Sequence, residues 1–89
     1  MSDRYIISLS ASAAKYWRRR DAPTRDRLQQ KFENLKVDPF DPQNSKPLMG
    51  RNDQRSARVG GLRILFQAQG SDVIVAEIGP RGEIYKHNR

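Results

Sequence analysis

Two arginines flank a glycine pair in the segment Arg58-Val59-Gly60-Gly61-Leu62-Arg63. Gly-Gly between two apolar, β-prone runs is a strong signal for a two-residue hairpin turn. Closed that way, Val59 faces Leu62 and Arg58 faces Arg63 directly across the ladder. Side chains alternate along a strand. Ala57, Val59, Leu62, Ile64 and Phe66 then share one face, and Ser56, Arg58, Arg63, Leu65 and Gln67 share the other. Like charges set directly opposite repel by about a few tenths of a kcal/mol or more. An anion lying over the pair relieves that repulsion, and phosphate suits the planar donor fork of guanidinium. The alternative is that both side chains splay into water or pair with Glu77 or Asp72.

A second group follows in Ile78-Gly79-Pro80-Arg81-Gly82-Glu83-Ile84-Tyr85-Lys86-His87. The glycines and the proline shape a tight loop that aims Arg81. Tyr85 follows, beside Lys86 and His87. Arginine stabilises negative charge that develops in a transition state. Tyr, Lys or His moves protons where its pKa is brought toward neutrality. Which of Tyr85, Lys86 and His87 would act as general base is open. The bland alternative is that Tyr85 covers a sheet edge and the basic tail is solvated.

These residues need a scaffold, and the chain spells one out. Arg4–Leu9 reads as a strand. Ser10 or Ser12 caps a helix running through Ala13 to Arg18. Asp21-Ala22-Pro23 breaks it and starts a second helix, with Pro23 in the first turn. Leu28, Phe32 and Leu35 recur at i, i+4, i+7 and give that helix one apolar stripe, while Arg25, Arg27, Gln29, Gln30, Lys31, Glu33 and Asn34 fill much of the rest. Asp38-Pro39-Phe40-Asp41-Pro42 ends it, with Phe40 as an anchor for its loop. Ser56–Val59, Leu62–Ala68 and Val73–Ile78 then read as strands, and Glu83–Lys86 as a further short one. The expected fold is α+β, a strand and two helices followed by an antiparallel meander of three or four strands. The helix hairpin covers one face of the sheet. Tyr16 and Trp17 are expected to pack on that core rather than to stack on a ligand.

The 89 residues fit one domain spanning the whole chain. Cysteine is absent and histidine occurs once, which excludes disulfides, Cys-based zinc sites and His-rich metal sites. No apolar run approaches a membrane span, and the N-terminal residues lack a signal-peptide layout. A soluble cytoplasmic protein is expected. With 17 Lys+Arg against 10 Asp+Glu, the formal net charge is +7. That surplus points to a polyanionic partner, a nucleic acid or an acidic protein. Lys15, Arg18, Arg19, Arg20, Arg25 and Arg27 cluster around the helix hairpin, where a solvated face or contact with an acidic protein segment fits at least as well as contact with nucleic acid.

The order of elements, with Arg58–Phe66 and Ile78–Lys86, resembles the RelE/ParE toxin superfamily of bacterial toxin–antitoxin systems. Arg58-Val59-Gly60-Gly61-Leu62-Arg63-Ile64-Leu65-Phe66 is similar to the family's Arg-x-Gly-x-(Tyr/Leu)-Arg-hydrophobic hairpin. Gly79-Pro80-Arg81-Gly82-Glu83-Ile84-Tyr85 is similar to its C-terminal arginine–tyrosine segment. The resemblance covers nearly the whole chain. It implies a fold like that of microbial ribonucleases and a toxin that cleaves mRNA, commonly in the ribosomal A site, without metal or cofactor. In that chemistry a ribose 2′-hydroxyl attacks the adjacent phosphate. The implied catalytic residues are Arg63 and Arg81, on the phosphate or leaving group, and Tyr85, in proton transfer or stacking. The expected RNA or phosphate contacts are Arg58, Lys46, Lys86, His87 and Arg55, although strict alternation sends Arg55 to the helix side unless a bulge intervenes. The implied partners are a cognate antitoxin, mRNA and the ribosome, with no membrane. The ribonuclease branch often carries two lysines where this chain has Gln54 and Ser56. The ParE branch instead poisons DNA gyrase by binding and commonly lacks the ribonuclease residues. Arg81 and Tyr85 favour the ribonuclease branch. A gyrase-directed toxin, or a non-catalytic RNA-binding module on the same scaffold, is the alternative.

Overall fold

The computed structural model describes residues 4–48 and 51–80, with the side chains of 51–53 left aside. Its elements are β1 (Ile6–Leu9), α1 (Ala11–Arg18), α2 (Ala22–Val37), β2 (Lys46–Leu48), β3 (Arg51–Val59), β4 (Leu62–Gln69) and β5 (Asp72–Pro80). Ser10 caps α1, its Oγ accepting from the Ala13 N–H at 3.0 Å. The same hydroxyl donates to the Ala76 carbonyl at 2.7 Å, so one side chain starts a helix and ties it to β5. Asp21 is the N-cap residue of α2, and Pro23 lies in the first turn, where a missing N–H costs nothing. Leu28, Phe32 and Leu35 are all buried, as their spacing requires. At the far end Asn44 donates through Nδ2 to the Asn34 and Asp38 carbonyls, at 3.3 and 2.9 Å. The Asn34 carbonyl also accepts the Asp38 N–H at 3.1 Å, so Asn44 ties the loop to the helix end. Tyr16 and Trp17 pack against the core. Pro39, rather than its neighbour Phe40, is the residue that the loop buries; Phe40 is half exposed, edge-on to the Tyr5 ring.

The sheet has five strands in the order β1-β5-β4-β3-β2. β1 lies parallel to β5, and the other pairs are antiparallel. The antiparallel meander is therefore β3–β4–β5, extended at one edge by the short β2 and at the other by β1. β3 also begins earlier than the alternation around Ser56 indicated. The further strand expected at Glu83–Lys86 lies outside the described residues. The hairpin register is the one that the glycine pair dictates, with Val59 opposite Leu62 and Arg58 opposite Arg63. Gly60 takes φ +58°, a conformation that L side chains rarely adopt.

One irregularity sets the core. β5 pairs Glu77 with Leu65 but Val75 with Phe66, leaving Ala76 as an extra residue. Such a bulge shifts the alternation by one. Val75 and Ile78 consequently both reach the helix side, where they join Ala13, Leu28, Phe32, Leu35, Ala57, Ile64, Phe66 and Val73 in one buried cluster. The helices cover this face alone, so the opposite parity of β3 and β4 is left for chemistry. Among the described residues no helix is long and apolar enough to cross a membrane.

Candidate phosphate-binding site

Ser56, Arg58 and Arg63 stand on the face turned away from the helix cluster, because Ala57 and Ile64 between them are in it. Arg63 reaches diagonally across the ladder and donates through Nη1 to Ser56 Oγ at 3.1 Å. Ser56 is only 5% exposed, so this bond fixes the direction of a half-buried guanidinium. Arg58, by contrast, is exposed. Lys46 on β2 pairs with Ser56, which sets it on the same face.

β2 starts only at Lys46, so β3 has no strand beside it at Arg58. A cavity of about 500 Å³ opens at this edge, lined by Ser56, Arg58, Arg63 and Lys46 together with the Pro42–Ser45 turn and Lys31 of α2. The lining holds cations from α2, β2, β3 and β4, and no carboxylate among the described residues. Ion pairs of the two hairpin arginines with Glu77 or Asp72 do not form among these residues. Glu33 takes both Arg4 and Lys36. The cavity thus concentrates positive charge beside the Ser56 hydroxyl and Gln43. It suits an oxyanion, and phosphate above others.

Arg55 is not part of this group. The β3–β4 register runs unbroken from Gln54 to Val59, so no bulge turns Arg55 over. It lies on the opposite face, donating through Nε to Ser45 Oγ at 2.8 Å and through Nη2 to the Ser45 and Phe40 carbonyls at 3.3 and 3.4 Å. Its guanidinium also sits 5.2 Å from the centre of the Phe40 ring. Arg55 therefore staples the turn that walls the cavity. Arg58 and Arg63 face each other as the glycine turn dictates, and Lys46 lines the same cavity. Arg81, Tyr85, Lys86 and His87 lie outside the described residues. Gln54 and Ser56 occupy the strand positions where the resemblance calls for lysines, and Ser56 instead serves Arg63. Lys31 is the lining residue that strand reasoning missed. Its signal was its place between Leu28 and Leu35, on the margin of the stripe that faces the sheet.

A family model described as the ParE toxin of the type II toxin–antitoxin system, parDE, matches residues 7–85. No match is found among curated proteins. Among solved structures, a mutant of the E. coli toxin RelE in the free state is 25% identical, with TM-score 0.75, over 93% of this chain and 92% of that one. The intact E. coli RelBE toxin–antitoxin complex is 25% identical, with TM-score 0.73, over 85% of this chain and 95% of that one. The RelBE2 toxin–antitoxin complex from Mycobacterium tuberculosis is 20% identical, with TM-score 0.74, over 88% of this chain and 99% of that one.

Proposed function

The chain belongs to the ParE toxins of type II toxin–antitoxin systems, and from its basic cavity and its likeness to RelE we propose that it is an mRNA endoribonuclease held inactive by a cognate antitoxin. The observation that carries this reading is the Arg58/Arg63 pair, facing a cavity with Lys46 and no carboxylate among the described residues. The likeness to RelE, free and in the RelBE complex, supports both the toxin chemistry and the antitoxin partner. In the proposed reaction a ribose 2′-oxygen forms a bond to the adjacent phosphorus, and the bond to the 5′-oxygen breaks. The products are a 2′,3′-cyclic phosphate and a 5′-hydroxyl end. Arg63, held by Ser56, stabilises the charge that builds on the non-bridging oxygens. Arg81 serves the phosphate or the leaving oxygen. Tyr85, with Lys86 or His87, moves the proton from the attacking hydroxyl to the leaving group. The site of action is ribosome-bound mRNA in the cytoplasm.

Mapping mRNA 5′ ends after induction tests the reading directly. New 5′ ends within coding regions are expected. Arg63→Ala should lower cleavage by on the order of 10²-fold, the scale for losing one charge-stabilising donor, and restore growth. If a chain with both Arg81 and Tyr85 replaced stays fully toxic, those two roles are wrong. A second reading is a toxin that binds DNA gyrase without cleaving RNA. Gln54 and Ser56, standing where the ribonuclease branch often has lysines, favour it. DNA breaks and an SOS response with intact mRNA would select that reading over the first.

A further inference from the structure

We propose that Lys31 on α2 and Lys46 on β2 form a second phosphate subsite beside the hairpin arginines, so that the cavity holds two neighbouring phosphates of a single RNA strand. The inference rests on reading the hairpin as a phosphate site and adds to it a substrate length. Three observations carry it. First, the cavity is too large for one phosphate group: at about 500 Å³ it extends from Arg58 and Arg63 past Ser56 to Lys46 and Lys31. Second, Lys46 sits opposite Ser56 while Arg58 is two residues further along β3. Strand rise sets those rows about 7 Å apart, a separation comparable to that of neighbouring phosphates in an extended strand. Third, Lys31, Lys46 and Arg58 make no ion pair or hydrogen bond among the described residues, unlike Arg4, Lys36 and Arg55.

Lys31 enters from the helix layer and Lys46 from the edge strand, so the two ammonium groups approach the cavity from different elements. Two flexible point charges make a tolerant subsite, whereas the Ser56-anchored Arg63 makes a directional one. The geometry assigns the arginine pair to the phosphate that reacts and the lysines to its neighbour. Gln43, on the turn between α2 and β2, lines the same cavity, where a base between the two phosphates would meet it.

The test uses the full chain and a short, labelled 2′-O-methyl oligoribonucleotide, which lacks the attacking hydroxyl and is not consumed. A single nucleotide monophosphate of the same kind serves as the one-phosphate probe. Lys31→Ala and Lys46→Ala are each expected to weaken the oligonucleotide about three- to ten-fold and to lower the salt slope by roughly 0.7, the value for one lost contact to a single strand. Neither should change binding of the mononucleotide. Lys36→Ala, which removes a lysine already held by Glu33, should leave both unchanged. The proposal is overturned if Lys31→Ala and Lys46→Ala behave as Lys36→Ala does, or if they weaken both probes equally. It is also overturned if the oligonucleotide does not bind. The same holds if a glutamate-rich peptide of equal charge binds with this lysine dependence in its place, which would mark a seat for an acidic protein segment. Cleavage by the unsubstituted toxin is read separately by 5′-end mapping. Lysine-dependent oligonucleotide binding without cleavage retains the subsite and removes the ribonuclease reading, and cleavage with silent lysines does the reverse.

Discussion

Arg55 and Arg63 show how parity divides one residue type between two jobs. They belong to adjacent strands, yet Arg63 faces the cavity while Arg55 lies on the other face and clasps the turn after α2. A planar fork that meets a hydroxyl and two carbonyls and stacks on a ring uses every feature of guanidinium. Arg55→Ala is accordingly expected to cost about 1–2 kcal/mol in urea unfolding. It should leave the salt slope of oligonucleotide binding unchanged. Arg55→Lys should recover little, since an ammonium cannot span those acceptors. The opposition of Arg58 and Arg63 was legible in the sequence because a two-residue glycine turn leaves a single register. The fate of Arg55 was legible from the same alternation. Lys31 was not, because helical periodicity marks which residues border the buried stripe but not which sheet edge they reach.

At the scale of elements, β1, α1 and β5 are joined through a single hydroxyl. Ser10 Oγ accepts from Ala13 and donates to Ala76, and the Ser10 N–H donates to the Val75 carbonyl at 2.9 Å. The carbonyl it holds belongs to the residue that the bulge leaves unpaired in the ladder. Ser10→Ala is expected to lose about 1 kcal/mol as a helix cap. A larger loss would measure the added role of Ser10 at the bulge, and Ser10→Thr, which keeps the hydroxyl, should recover most of it. Either Ser10 or Ser12 fitted the sequence as cap, and the contact with β5 shows why Ser10 fills the role. The bulge itself left a trace, since Val73, Val75 and Ile78 break strict alternation. Neither β1 beside β5 nor β2 beside β3 was readable, because a period of two reveals the faces of a strand and not its neighbours.

At the scale of the whole molecule, Glu33 is where ion pairs of the described residues meet. It accepts from Lys36 at 2.9 Å and Gln29 at 3.0 Å, and pairs with Arg4 at 4.0 Å. The Lys36 hydrogen bond first, then that of Gln29, holds the Glu33 carboxyl below its ordinary value. Because the folded value lies below the unfolded one, the stabilisation is present above the ordinary carboxyl range. It fades as pH falls through the lowered folded value. Glu33→Gln should therefore flatten the acid limb of stability against pH, with little change in the shape of the profile near neutrality, as read from urea melts across that range. The pair matters for closure as well, since the Lys36 carbonyl receives the Tyr5 N–H at 2.9 Å just before β1.

That first strand has one further consequence. Among the described residues β1 pairs with no strand but β5, and Ser10 and Ala76 are bonded across 66 residues of chain. During synthesis the helix hairpin and the β3–β4 hairpin can form from local contacts as they emerge. The backbone edge of β1 that pairs in the sheet must wait until Asp72 and the residues after it have been made. The arginine pair is thus assembled early on a sheet that is sealed last. A nascent chain halted before β5 would carry the arginine hairpin without the strand that joins β1 to the sheet, so closure of the sheet is tied to synthesis of β5.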